Sequence, residues 1–234
     1  IYIDYFTYYK NCEQFARSLI KIGVTEDSSI GIIGYNSPEW FYSHIGSMMI
    51  GAKSVGLYPT NTSDVCCYIC ENCNVDVIVA EDMDQVYKFK KYYKNNSVKA
   101  IIVYNDKISE DKNVDIYQWD NFIKNNEKIS NINLKCKNNS IATLIYTSGT
   151  TGNPKGVVIT HNNIMSMIKN MSNVFDSAEN EGIYIEKGRE KIFSYLPLNH
   201  IAGQMMDIYL PISISGLVYI CNMKKDKDNF KKNI

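Results

Sequence analysis

Short runs of apolar residues recur along this chain, each too brief for a helix and none alternating with polar residues. Ser29–Gly34 (SIGIIG), Ser54–Tyr58 (SVGLY), Asp76–Ala80 (DVIVA), Lys99–Tyr104 (KAIIVY) and Ile141–Thr147 (IATLIYT) are of this kind. A strand apolar on both sides must be covered on both sides, which is the habit of parallel sheets. The intervening segments read as helices. Tyr8–Ile20 places Phe15, Leu19 and Ile22 on one face. Ser37-Pro38-Glu39 is a helix start, with a capping serine, proline at the first helical position and an acid in the first turn. Further helices are expected from Ser63 to about Asn72, from Asp84 to Tyr93 and, weakly, over 117–125. Alternating strands and helices predict an α/β fold of mostly parallel sheets flanked by helices on both faces.

The pattern pauses at 126–140, which is polar and lysine-rich. We therefore expect a first α/β subdomain over 1–130, a linker-like stretch over 131–140 and a second α/β portion over 141–234. In that second portion GVVIT (156–160), Ile192–Leu196 and Leu217–Cys221 read as strands, and 162–173 and Ile201–Leu210 as helices. Ile1 begins mid-pattern and the final KKDKDNFKKNI closes no element, so a piece of a longer protein is expected.

Between IATLIYT and GVVIT lies TSGTTGNPKG, Thr147 to Gly156. Glycines let the backbone take angles other residues resist, and let amides turn inward around an anion. Thr147, Ser148, Thr150 and Thr151 add hydroxyl donors, Pro154 stiffens the turn, and Lys155 supplies a positive charge on a flexible stem. A polyphosphate calls for this combination. The Walker pattern is excluded: Pro154 stands five residues after Gly149, Val157 five after Gly152, and glycine follows Lys155. The plainer alternative, a glycine-rich hairpin between two strands, has no need of five donor side chains.

TSGTTGNPKG resembles the signature loop of the adenylate-forming superfamily, which includes acyl-CoA synthetases, luciferases and peptide-adenylation domains. The resemblance assigns Thr147, Ser148, Gly149, Thr150, Thr151, Gly152, Asn153, Pro154 and Lys155 to the β- and γ-phosphates of ATP. A second segment, YLPLNHIAGQ (195–204), is similar to the family's L-P-L-S-H-I motif and makes His200 the residue beside the acyl group and the adenylate. Asn199 stands where the family usually has serine. With GIIGYNSPEWFYSHIGSMMIGAKSVGLYPTNTSD, the likeness runs across nearly the whole chain and is greatest to the bubblegum type of long-chain acyl-CoA synthetase, of whose large N-terminal domain this would be part.

The reaction this implies has two halves. A fatty-acid carboxylate attacks the α-phosphorus of ATP, giving an acyl-adenylate and pyrophosphate, and CoA then displaces AMP. ATP, Mg2+ and CoA are the implied small-molecule requirements, with fatty acid and CoA as partners. The later adenine, ribose and magnesium motifs and the C-terminal domain with its adenylation lysine have no counterpart here. A complete catalytic set is therefore not expected, and the chain alone should be inactive. The alternatives are an adenylating ligase for an aromatic or amino acid, and a non-catalytic nucleotide- or acyl-binding module.

Other features weigh less. With 25 basic and 25 acidic residues the chain has no global charge for nucleic acid. The run Lys88–Lys94 reads as a solvated helix face. Seven cysteines without a secretory leader suggest reduced thiols in a cytoplasmic or cytosol-facing protein. A lipid substrate admits peripheral membrane association, although no amphipathic anchor stands out. Cys67, Cys70 and Cys73 have a metal-like spacing, but Cys66, Ile69, Cys70 and Cys73 fall on one helix face, as core residues do. His44 reads as structural and His161 as part of a helix cap.

Overall fold

The computed structural model describes residues 2–96, 98–124, 136–147, 152–180, 186 and 188–221. Helix α1 (Tyr5–Lys21) opens before Tyr8 because the Asp4 carboxylate accepts from Thr7 N at 2.7 Å. Strand β1 (Ser29–Ile33) is buried throughout. In α2 (Pro38–Met49) Ser37 caps the helix as expected, accepting from Trp40 N at 3.2 Å. That helix ends ahead of Gly51, whose φ of +81° starts the turn into β2 (Lys53–Leu57). Next come α3 (Ser63–Cys73), capped by Thr62, and β3 (Val75–Ala80). The single helix expected over 84–93 is two, α4 (Met83–Tyr87) and α5 (Lys90–Asn95), with the buried Phe89 at the joint. After β4 (Ala100–Val103), β5 (Ile116–Gln118) takes the residues expected to begin a helix, so α6 runs over Trp119–Lys124.

The chain then supplies β6 (Ile141–Thr147), β7 (Lys155–Thr160) and α7 (His161–Asn180). These seven strands form one sheet, β5-β4-β3-β1-β2-β6-β7. Every pairing is parallel except that of β6 with β7. The stretch at 131–140 does not coincide with a break in the sheet: β2 has an open edge, and β6 pairs onto it through Ser54↔Thr143 and Gly56↔Ile145. A separate two-stranded parallel ribbon joins β8 (Lys191–Ser194) and β9 (Leu217–Ile220). Between those strands lie α8 (Ile201–Gly203), a π-helical turn (Gln204–Tyr209) and α9 (Leu210–Ile214).

Strand side chains alternate between two cores. Ile30, Ile32, Val77, Val79 and Ile102 join α1, α2 and α6 on one side, while Ile33, Ile78, Ala80, Ile101 and Val103 join α3, α4 and α5 on the other. Helices therefore cover both faces. Cys66, Cys67 and Cys70 lie in the second core beside Ile69 as small apolar side chains, and Cys73 packs at its margin. In the first core Phe15 of α1 is fully buried and stacks on Trp119 at a 5.3 Å centroid distance. Phe15→Ala should cost about 3–5 kcal/mol, from lost transfer energy plus the cavity left behind. Urea denaturation checks this; a loss under about 1 kcal/mol would mean that α1 is not a structural element of this core.

Candidate functional site

The parallel strands β1 to β4 and β6 deliver their C-terminal ends to one edge of the sheet, where α/β proteins bind ligands. Thr147 is the last residue of β6, exposed, and pairs with Lys155, the exposed first residue of β7. The strands around the glycine-rich loop are thus an antiparallel hairpin, the plainer of the two expectations. Seven intervening residues (148–154) are too few for a parallel crossover. Ser148, Gly149, Thr150 and Thr151 lie outside the described residues. Gly152 has φ +95° with open space where a Cβ would stand, and Asn153 is exposed beside it. That conformation favours glycine. Beneath the loop, Tyr146 OH donates to Asn72 Oδ1 at 2.7 Å, and its ring lies across Gly156, 3.0 Å from where a Cβ would be. The base of the hairpin is therefore pinned to α3, while Thr147, Asn153 and Lys155 are exposed above it. This suits an anion such as a phosphate chain.

His200 belongs to a turn that packs on the neighbouring strand. Asn199 Cα lies 2.7 Å from where a Cβ on Gly56 would stand, and Gly56 of β2 pairs with Ile145 of β6, two residues before Thr147. The His200 turn therefore packs on β2, next to β6, from whose end the loop departs. His200 N donates to the Pro197 carbonyl at 3.0 Å and closes the turn. The His200 ring is the N-cap of α8: Nδ1 accepts from Ala202 N at 3.2 Å. An accepting Nδ1 puts the ring proton on Nε2, so the exposed side of the ring presents an N–H donor. Asn199 Nδ2 and Gln204 Nε2 are buried and have no partner among the described residues. Buried donors of this kind are costly unless an acceptor arrives.

His44, expected to be structural, is fully buried and bridges Ser54 Oγ (Nδ1, 2.7 Å) and Tyr209 OH (Nε2, 2.7 Å), tying α2 and β2 to the π-helical turn. His161 opens α7, while the capping contact comes from Thr160 Oγ1, which accepts from Asn163 N at 3.1 Å. Three residues near His200 were assigned no role from the sequence. Gly56 and Gly203 allow close backbone approach, and Asp207 is a buried carboxyl that accepts from Ser194 Oγ at 2.8 Å. Among the described residues no cluster of acids, histidines or cysteines is arranged to hold a metal.

Burial sets two opposing titrations around this turn. It pushes His44 down to about 3, with the nearby His161 adding to the effect, and pushes Asp207 up to about 6 against the Ser194 hydrogen bond. The folded state resists protonation of His44, so His44 costs stability as pH falls below the ordinary histidine range. The folded state favours the neutral Asp207, so Asp207 costs stability as pH rises from 4 to 6. Each slope is about 1.4 kcal/mol per pH unit, and between pH 4 and 6 the two nearly cancel. Relative to wild type, Asp207→Asn should therefore lose stability as the pH drops from 6 to 4, and His44→Gln should lose it as the pH climbs over the same window. Denaturant titrations at several pH values check this; parallel pH profiles for all three proteins would show that neither group is coupled to folding.

A glycine-rich hairpin and the His200 turn thus lie close together at one end of a mostly parallel, helix-covered sheet. The chain belongs to the AMP-binding enzyme family, whose profile matches residues 2–234. It is 37% identical over 224 residues to the Homo sapiens long-chain-fatty-acid–CoA ligase ACSBG2, covering 93% of this chain and 32% of the relative. Its identity to Rattus norvegicus long-chain-fatty-acid–CoA ligase ACSBG1 is 33% over 216 residues, 90% of this chain and 29% of the relative. These are the bubblegum-type ligases, and the chain spans about a third of their length. Among solved structures, the anthranilate CoA ligase AuaEII with anthranoyl-AMP shares the fold at a TM-score of 0.77 and 19% identity, over 91% of this chain and 39% of that one. A Mycobacterium tuberculosis fatty acyl CoA synthetase does so at 0.72 and 15%, over 94% and 39%.

Proposed function

We propose that the full-length protein is an ATP-dependent long-chain fatty acid–CoA ligase working through an acyl-adenylate. The observation that carries this reading is the pairing of an anion-suited hairpin with the His200 turn at one sheet edge, in a chain more than one-third identical to long-chain ligases. Residues Thr147 to Lys155 would hold the β- and γ-phosphates, and Lys155 would stabilise charge growing on the departing pyrophosphate. His200 would present its Nε2–H to the acyl carboxylate or the adenylate. Magnesium, when bound, would neutralise phosphate charge and takes few protein ligands. CoA and the rest of the nucleotide would be held by the remainder of the protein, and the 234 residues alone would be inactive. In this reading 1–130 and 141–234 are successive α/β portions of one N-terminal domain, joined by the 131–140 stretch.

No helix among the described residues is long and apolar enough to cross a membrane. We place the protein in the cytoplasm or on a cytosol-facing membrane surface, where a lipid substrate is met. Thioester formation by the full-length protein, assayed with CoA across short, long and aromatic acids, tests the substrate. Rates peaking with long chains support the reading. A peak with an aromatic or amino acid would keep the family and overturn the substrate.

A further inference from the structure

The segment from Ser194 to His200 leaves β8 and must hold its shape without strand partners beyond that point. Asn36, in the loop between β1 and α2, reaches it across 158 positions of sequence. Its Nδ2 donates to Ser194 Oγ at 2.9 Å and to the Leu196 carbonyl at 2.9 Å. A carbonyl only accepts, so the amide orientation is fixed. The Ser194 hydroxyl then has its proton free for Asp207 Oδ2, 2.8 Å away on the π-helical turn. The result is a directional chain, amide to hydroxyl to carboxyl, that links the β1–α2 loop, β8 and the π-helical turn. Ser194 is fully buried and Asp207 almost so, which strengthens such a chain.

Asn36 stands on a rigid platform. Tyr35 N donates to the Glu81 carboxylate at 3.0 Å on one side, and Ser37 caps α2 on the other. Its grip on Leu196 comes directly before Pro197, whose carbonyl closes the His200 turn. We propose that Asn36 is a positioning residue for His200: it fixes the start of the Leu196–His200 turn, and Asp207 holds Ser194, two residues before that turn. This rests on the reading of His200 as the residue facing the acyl carboxylate. Because a displacement of about 1 Å in a reacting group can cost about a hundredfold in rate, the clamp bears on catalysis without touching substrate.

Two measurements on the full-length protein test this together. Hydrogen–deuterium exchange of Asn36→Ala should rise about tenfold or more in the 195–204 segment and stay unchanged in α1 and β3. Acid-dependent pyrophosphate release should fall about tenfold or more in Asn36→Ala, but less than about twofold when His200→Ala is already present, because the two residues act as a unit. The isosteric Asn36→Asp, which loses both donors, should behave as the alanine variant does. If Asn36→Ala does not fold, Asn36→Asp, which keeps the side-chain volume, carries the same expectations in its place. Unchanged exchange in 195–204 overturns the proposal, as does an equal loss of rate with and without His200. If the wild-type protein releases no pyrophosphate with any acid, the ligase reading fails, and the exchange data still decide whether Asn36 holds the turn.

Discussion

Gly203→Ala is expected to destabilise the protein by about 2 kcal/mol, although helix propensity alone predicts the opposite. Gly203 has helical angles, φ −62° and ψ −46°, where alanine is favoured over glycine by about 1 kcal/mol. Tertiary packing opposes this. A Cβ at Gly203 would overlap the Pro197 carbonyl and lie 3.2 Å from the Leu196 carbonyl oxygen. Both are backbone atoms of the His200 turn and cannot rotate aside. Overpacking of this kind costs about 1–3 kcal/mol, and backbone obstacles place it at the upper end. Relief requires the turn to move, so if His200 faces the acyl carboxylate, a folded full-length variant should also lose about a hundredfold in acid-dependent turnover. Thermal denaturation with activity in parallel checks this. A raised Tm with full activity would show that Gly203 serves only as a helical residue.

Lys155→Ala should have the opposite profile, with almost no effect on stability and a large one on rate. Lys155 is exposed at the start of β7, and surface substitutions of this kind stay within about 0.5 kcal/mol. If its ammonium meets the departing pyrophosphate, its loss should cut pyrophosphate release by about a hundredfold or more, as removal of one preorganised electrostatic partner does. Single-turnover kinetics at saturating ATP isolates the step. A variant that only raises the KM for ATP, with kcat unchanged, would make Lys155 a uniform binding contact instead.

The sheet was legible because burial on both faces writes itself into sequence as unbroken apolar runs such as DVIVA and IATLIYT. Helix starts at Ser37-Pro38 and Ser63-Asp64 were legible because capping is local chemistry. Strand direction is not local. That β7 returns antiparallel to β6 shows in the length of residues 148–154, not in their composition. Strand β5 has three residues and leads directly into α6, so its pattern merges with the helix. Around the site, TSGTTGNPKG and YLPLNHIAGQ carry their chemistry in consecutive letters. Asn36 and Gly56 meet partners far away in the chain, Asp207 meets one on another element, and no periodicity marks them.

The most direct test of the central claim is fatty-acid-dependent release of pyrophosphate from Mg-ATP by the full-length protein, followed by isolation of the acyl-adenylate before CoA is added. The account predicts release that depends on a long-chain acid, with the adenylate recovered in equal amount. A folded protein that binds ATP yet releases no pyrophosphate with any acid would contradict it, and would make this chain part of a binding module.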